Sequence, residues 1–292
     1  MDWFESEKFW TQYAPIMFDD ARWAEAPAVA QYVKDIAGLG EGAKVLDAGC
    51  GLGRISVELA ALGLDVTGVD IIQSELDAAR DSAEAEGVPL TLINQDLRTF
   101  HSPNQFDCAI NLYTSFGYCA TIEEDMQILK NIAASLKPGG CFILECTSRE
   151  TAILYWTPGE EFERAGYKVV THFEVVGAWE GLKSQWTLYP LSESLLQDNN
   201  KATSLQDNNK TPSLRDNNKA TSLQDNNKTP SLRGADATKQ SIDHTFIQRL
   251  YPASFLRDKL LEFGFTKAAV YGDYDFSPYN EHARTMVIVA NK

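Results

Sequence analysis

Ala43-Lys44-Val45-Leu46-Asp47-Ala48-Gly49-Cys50-Gly51-Leu52-Gly53-Arg54 decides the fold. An apolar strand ending at Asp47 runs into a turn with glycine at 49, 51 and 53, and an amphipathic run begins at Ile55. Glycine at alternate positions removes side chains where a ligand must lie against the backbone. A helix after the turn directs its first amides at that ligand. Strand, glycine turn and helix together predict a site for a nucleotide-like cofactor.

The spacing bears on which cofactor. A dinucleotide fingerprint, G-x-G-x-x-G, needs its third glycine where this chain has Arg54. Asp47 at the strand end would repel a pyrophosphate lying on the turn and attract an ammonium. S-adenosylmethionine carries an α-ammonium and no phosphate, so charge favours it. An NAD-type oxidoreductase, a non-catalytic cofactor-binding protein and a turn with no ligand stay open at this point.

Two further strand ends agree. Leu64 to Asp70 reads as a buried strand ending in an acid 17 residues after Gly53, placed to bond ribose hydroxyls. Ile71 and Ile72 follow, with apolar side chains suited to an adenine face. Leu90 to Asp96 is a third apolar run, ending in a carboxylate that would accept from the adenine amino group.

These segments resemble the class I S-adenosylmethionine-dependent methyltransferases. The resemblance rests on residues 45–53, Val69-Asp70, Gln95-Asp96-Leu97, Phe106-Asp107 and Leu136-Lys137-Pro138-Gly139-Gly140. It is close over residues 1–150 and looser beyond; Gln95 departs from the glycine common before the adenine acid. It implies that Gly49, Gly51 and Gly53 meet the methionine part, that Asp70 holds the ribose, and that Asp96, with Leu97 beside it, meets adenine. It also implies Tyr13 and Arg22 as contacts of the methionine carboxylate. The implied fold is a doubly wound, mostly parallel seven-stranded sheet, Rossmann-like, with an N-terminal helical cap and an antiparallel insertion.

Alternation of strands and helices predicts the same architecture. Strands are expected at 43–47, 64–70, 90–95, 106–112 and 141–146, with helices over 54–62, from Ser74 to Gly87, from Thr121, and over 252–263. A closing strand pair is expected at 266–272 and 284–290. Ligands then sit outside the carboxyl ends of the strands, where Asp47, Asp70, Asp96 and Asn111 fall. The expected divisions are a cap (1–40), a cofactor-binding core (41–150), a substrate-cover insertion (151–250) and a C-terminal helix with strands (251–292). In the cap, Phe9, Tyr13 and Met17 share a helical face that Pro15 disturbs. In the insertion, Trp156, Trp179, Trp186 and Tyr189 are expected in a core.

Within the insertion, Gln197-Asp-Asn-Asn-Lys-Ala-Thr-Ser-Leu205 opens a tandem repeat of four copies, with small changes between them, at a period of nine. Each unit has one leucine and no aromatic residue, so residues 197–233 are expected to be disordered and unrelated to catalysis. No metal site is expected there or elsewhere.

Composition narrows the partners. The 292 residues carry a net charge of −15, and with no basic stripe they argue against nucleic acid as the methyl acceptor. The stretch Asn111 to Tyr118 lacks the Asn-Pro-Pro-Tyr of relatives that methylate bases, and is similar to small-molecule members of the family. No apolar run is long enough to span a membrane, and the acidic start is unlike a signal peptide. Five cysteines without metal spacing suggest the reducing cytoplasm. The expected reaction is in-line methyl transfer to a small molecule. An amine is preferred to a hydroxyl because no base stands out among the four histidines. Tyr113, Tyr118, His172 and His244 are the candidates for orienting or deprotonating the acceptor.

Overall fold

The computed structural model describes residues 2–113, 115–191 and 241–292. The repeat at 197–233 lies outside them. By compactness the chain divides into residues 1–158 with 173–184 and 245–292, and a second unit of residues 159–172 with 185–244.

The larger unit is built on strands β1 (Lys44–Ala48), β2 (Asp65–Asp70), β3 (Thr91–Asn94), β4 (Phe106–Asn111), β5 (Leu136–Cys146), β10 (Lys267–Tyr271) and β11 (Met286–Asn291). They form one seven-stranded sheet in the order β10-β11-β5-β4-β1-β2-β3. β1 pairs in parallel with both β2 and β4, whereas β11 runs antiparallel to β5 and to β10. The doubly wound, mostly parallel sheet expected from the sequence is therefore present. Strands β6 (Glu161–Arg164), β7 (Tyr167–Val176), β8 (Gly181–Pro190) and β9 (Ile242–Arg249) form a second sheet in chain order, with β6 antiparallel to β7.

Both sheet faces are covered because successive side chains on each strand point opposite ways. Leu46, Val69, Ala109, Phe142 and Leu144 pack with Leu129 and Ile132 of helix α6 (Ile122–Ser135) and with Leu256 and Leu260 of α8 (Ala253–Glu262). Their neighbours Val45, Val66, Cys108, Ile110 and Ile143 pack with Val29 and Val33 of α3 (Ala26–Ala37) and with Ile55 and Leu59 of α4 (Arg54–Ala61). Each fully buried leucine or isoleucine contributes about 1.5–3 kcal/mol. The sheet is thus held from both sides, with its strand ends left to the loops.

Several local expectations are corrected. β5 begins at Leu136 rather than 141, because Leu136 pairs with Phe106 across a register shift before Cys108 meets Cys141. Ser74 does not cap helix α5 (Gln73–Glu86); Ile72 occupies the cap position without a side-chain bond. Pro15 lies inside α1 (Glu7–Met17) without ending it, and the buried face is Phe9, Tyr13, Ala14 and Ile16, so Met17 is not part of it. Trp186 is buried, but Trp156 is 45% exposed, with its ring edge-on to Trp179. The Thr121–Glu124 capping box and the glycine ends of α4 and α5, at Gly63 and Gly87, stand as expected. Among the described residues no helix is long and apolar enough to cross a membrane.

Candidate functional site

The turn after β1 is built by its glycines. Gly49, Gly51 and Gly53 all have positive φ, at 85°, 50° and 71°, a region that other residues enter at a cost. Their missing side chains make room for the protein itself. A Cβ on Gly49 would lie 2.8 Å from Ser115 Cβ, and one on Gly53 2.6 Å from Ala79 Cβ. One on Gly51 would lie 3.1 Å from Glu75 Oε2. The turn is therefore clasped between α5 and the loop after β4.

Main-chain bonds tie this turn to β2. The amides of Gly49 and Cys50 both donate to Val69 O, at 2.8 and 3.1 Å. Asp70 accepts from Gly51 N through Oδ2 and from Ile72 N through Oδ1, each at 2.9 Å. Both oxygens keep a further lone pair for a ligand hydroxyl. Cys50 packs over Gly68, where a Cβ would be 2.8 Å from its sulfur. Burial and the neighbouring carboxylates push its thiol up, which disfavours the thiolate.

Asp47 is only 4% exposed and accepts from Ser56 Oγ at 2.6 Å. Burial pushes its carboxyl up to about 6, against the opposing pull of the Ser56 hydroxyl. Asn111 is fully buried at the end of β4, where its Nδ2 donates to Ala48 O at 2.6 Å and to Ser115 O at 3.4 Å. Both partners are carbonyls, which fixes the amide orientation and leaves Oδ1 without a donor among the described residues.

Asp96 is engaged by Arg98, whose amide and Nε donate to it at 2.7 and 2.8 Å. The same guanidinium reaches Asp2 at 3.3 Å and Glu5 at 2.7 Å, so the adenine candidate is linked to the start of the cap. Leu97 is partly buried against the core, and Ile71 is partly exposed. Ile72 is 2% exposed and packs inward, so of the two isoleucines only Ile71 is open to a ligand.

The cap candidates separate. Tyr13 is buried in an aromatic cluster, 4.7 Å from Phe9 and 5.7 Å from Phe246, and its phenol is pushed up by burial and by nearby Tyr118. Arg22 is half exposed, bonds Glu25 at 3.0 Å and lies 5.8 Å from the Tyr113 ring. Tyr113 is a non-glycine residue with φ 54°, and its amide donates to Glu145 Oε2 at 2.7 Å. Strained backbone of this kind persists where the surroundings enforce it. His172 and His244 belong to the second unit, while His101 and His282 are exposed.

Four residues here escaped the sequence reading. Arg54 is 5% exposed, bonds the Arg22 carbonyl and stacks on Tyr113; its position directly after the glycine turn was the available signal. Ser56 follows it by half a turn. Glu145 interrupts the apolar run Phe142-Ile143-Leu144, accepts from Tyr113 N and Thr285 Oγ1, and is raised by burial. Glu75, 6% exposed, has an Oε1 with no partner among the described residues. No group of side chains among the described residues could hold a metal ion.

The methyltransferase-domain family matches residues 45–140. A ubiquinone biosynthesis O-methyltransferase of Coxiella burnetii is 32% identical over 123 residues, which is 42% of this chain and 51% of that protein. The chain thus spans about half the length of the curated relatives it matches. An S-adenosylmethionine-dependent methyltransferase of Clostridium acetobutylicum superposes with a TM-score of 0.67 at 13% identity, covering 97% of each chain. A sugar N-methyltransferase of Streptoalloteichus gives 0.58 at 18% identity, over 92% of this chain and 87% of that one. Residues 45–140 are therefore similar to the methyltransferase-domain family, and the sheet around them has the fold of the class I S-adenosylmethionine-dependent methyltransferases.

Proposed function

We propose that this protein transfers a methyl group from S-adenosylmethionine to a small-molecule acceptor, an amine in preference to a hydroxyl. The observation that carries the reading is the polarity of the glycine turn. Asp47, Asp70, Glu75 and Asn111 surround it with acceptor oxygens, and Asn111 Oδ1 and Glu75 Oε1 have no donor among the described residues. Buried acceptors call for donors. S-adenosylmethionine brings an ammonium, two ribose hydroxyls and an adenine amino group, whereas a pyrophosphate brings only acceptors and negative charge.

In this reading Asp47 holds the ammonium, Asp70 the ribose and Asp96 the adenine amino group, with Ile71 and Leu97 beside the base. Gly49, Gly51, Gly53 and Asn111 shape the floor, and Tyr13 and Arg22 serve the carboxylate. When bound, S-adenosylmethionine supplies a methyl group activated by its sulfonium. The protein's part is to hold the acceptor in line and exclude water. Tyr113 and Tyr118 are proposed to orient the acceptor, and a neutral amine needs no strong base from them. Supporting the amine is the name of one structural neighbour, a sugar N-methyltransferase, whose likeness runs the length of the chain. The named O-methyltransferase matches only 42% of the chain.

S-adenosylhomocysteine release across a panel of amines, amino sugars and phenols tests the proposal. Turnover is expected with an amine. Turnover confined to phenols would reverse the acceptor assignment, and tight binding of S-adenosylmethionine with no turnover would favour a non-catalytic protein.

A further inference from the structure

Glu75 has no evident reason to be where it is. It lies in the first turn of α5, 6% exposed, with one carboxyl oxygen against Gly51 and the other without a partner among the described residues. A surface glutamate at a helix start would face water, where its charge is solvated. This one is turned under the glycine turn, toward Asp70. Leaving a buried acceptor unpaired destabilises the fold, so the position calls for a missing donor.

We infer that Glu75 is a second carboxyl of the ribose subsite, taking one hydroxyl of the adenosyl group while Asp70 takes the other. The inference rests on the cofactor reading above. A ribose offers two hydroxyls on adjacent carbons, and the structure offers two carboxyls side by side at the same turn. Asp70 already accepts one main-chain amide on each oxygen, whereas Glu75 Oε1 is wholly free to accept.

The electrostatics suit a neutral ligand group. Burial, reinforced by the charge of Asp70, pushes the Glu75 carboxyl up to about 8. It therefore carries its proton near neutral pH, and can donate to a hydroxyl oxygen as well as accept from one. An ammonium would require the ionised form, which the site resists. Asp47 is the better partner for that cation, since its carboxyl ionises at lower pH.

Calorimetry with S-adenosylmethionine, adenosine, 2′-deoxyadenosine and 3′-deoxyadenosine tests this on the full chain. Wild type is expected to bind adenosine about tenfold more tightly than either deoxy analogue. Glu75→Met, which fills the volume without a polar atom, should bind adenosine about tenfold more weakly and lose one of the two deoxy penalties while keeping the other. If the methionine variant does not fold, Glu75→Ala takes its place. Glu75→Gln keeps both a donor and an acceptor and should stay within about threefold of wild type. A folded variant that weakens adenosine yet retains both penalties would show Glu75 to be structural and overturn the assignment. Unchanged adenosine affinity, a loss seen only with S-adenosylmethionine, or a folded glutamine variant that no longer binds would do the same. Wild type that binds S-adenosylmethionine but treats the three nucleosides alike also overturns it, and leaves the cofactor reading standing. Wild type that binds no S-adenosylmethionine overturns both.

Discussion

The Arg54 guanidinium lies 4.1 Å from the centre of the Tyr113 ring. The contact joins the residue after the glycine turn to the second residue after β4. Arg54 also bonds the Arg22 main-chain carbonyl and approaches Glu25 to 3.9 Å. One buried side chain thus holds together a helix start, a strained loop and the cap. Arg54→Met should cost about 2 kcal/mol of stability and raise the KM for S-adenosylmethionine. Arg54→Lys restores charge but not the planar stack, so it should recover only part of either loss in thermal melts and kinetics.

Asp70 braces the turn and is proposed to hold the ribose. Asp70→Ala removes acceptors from Gly51 N and Ile72 N together. Cofactor affinity measured by calorimetry should fall more than about tenfold. Unchanged affinity would mean that the ribose lies elsewhere.

Asp47 predicts opposite pH trends for the free protein and for its complex. Folding raises its carboxyl from 3.8 to about 6, so the folded state holds a proton that the unfolded chain has released. This contribution to stability is complete below about pH 4 and is lost as pH rises through about 6. An ammonium prefers the carboxylate, so cofactor affinity should rise through the same window, by about tenfold from pH 5 to pH 7. Asp47→Asn should flatten both curves, and an affinity that falls with pH in wild type would refute the ammonium contact.

The repeat can be tested by deletion. Its composition offers too few apolar groups to offset ordering, so replacing residues 197–233 with a short Gly-Ser turn should leave the rate of methyl transfer nearly intact. A folded deletion variant without turnover would assign the repeat a role in catalysis.

The parallel sheet was legible because its core strands are short apolar runs, with acids at 47 and 70 at or beside the ends of two of them. The turn was legible from its glycines, although the reason for them was not. Contacts from residues far along the chain, Ser115 and Ala79, decide what a Cβ there would meet. Nothing in the sequence singles out Glu75, because helical periodicity gives a face and not its partner. Glu145 was hidden by the apolar run around it, and Asp96 gave no hint of the Arg98 bonds that tie it to Asp2 and Glu5. Long-range pairing of polar groups leaves no periodic trace in a sequence.

The aromatic cluster at the cap has a practical consequence. The Trp3 indole is stacked on Phe246 at 4.8 Å and meets Tyr118 edge-on at 4.6 Å. Its emission will therefore respond to small displacements of the first helices. Intrinsic fluorescence, compared between wild type and Trp3→Phe, gives a label-free optical signal for following cap movement in real time as ligands are mixed in.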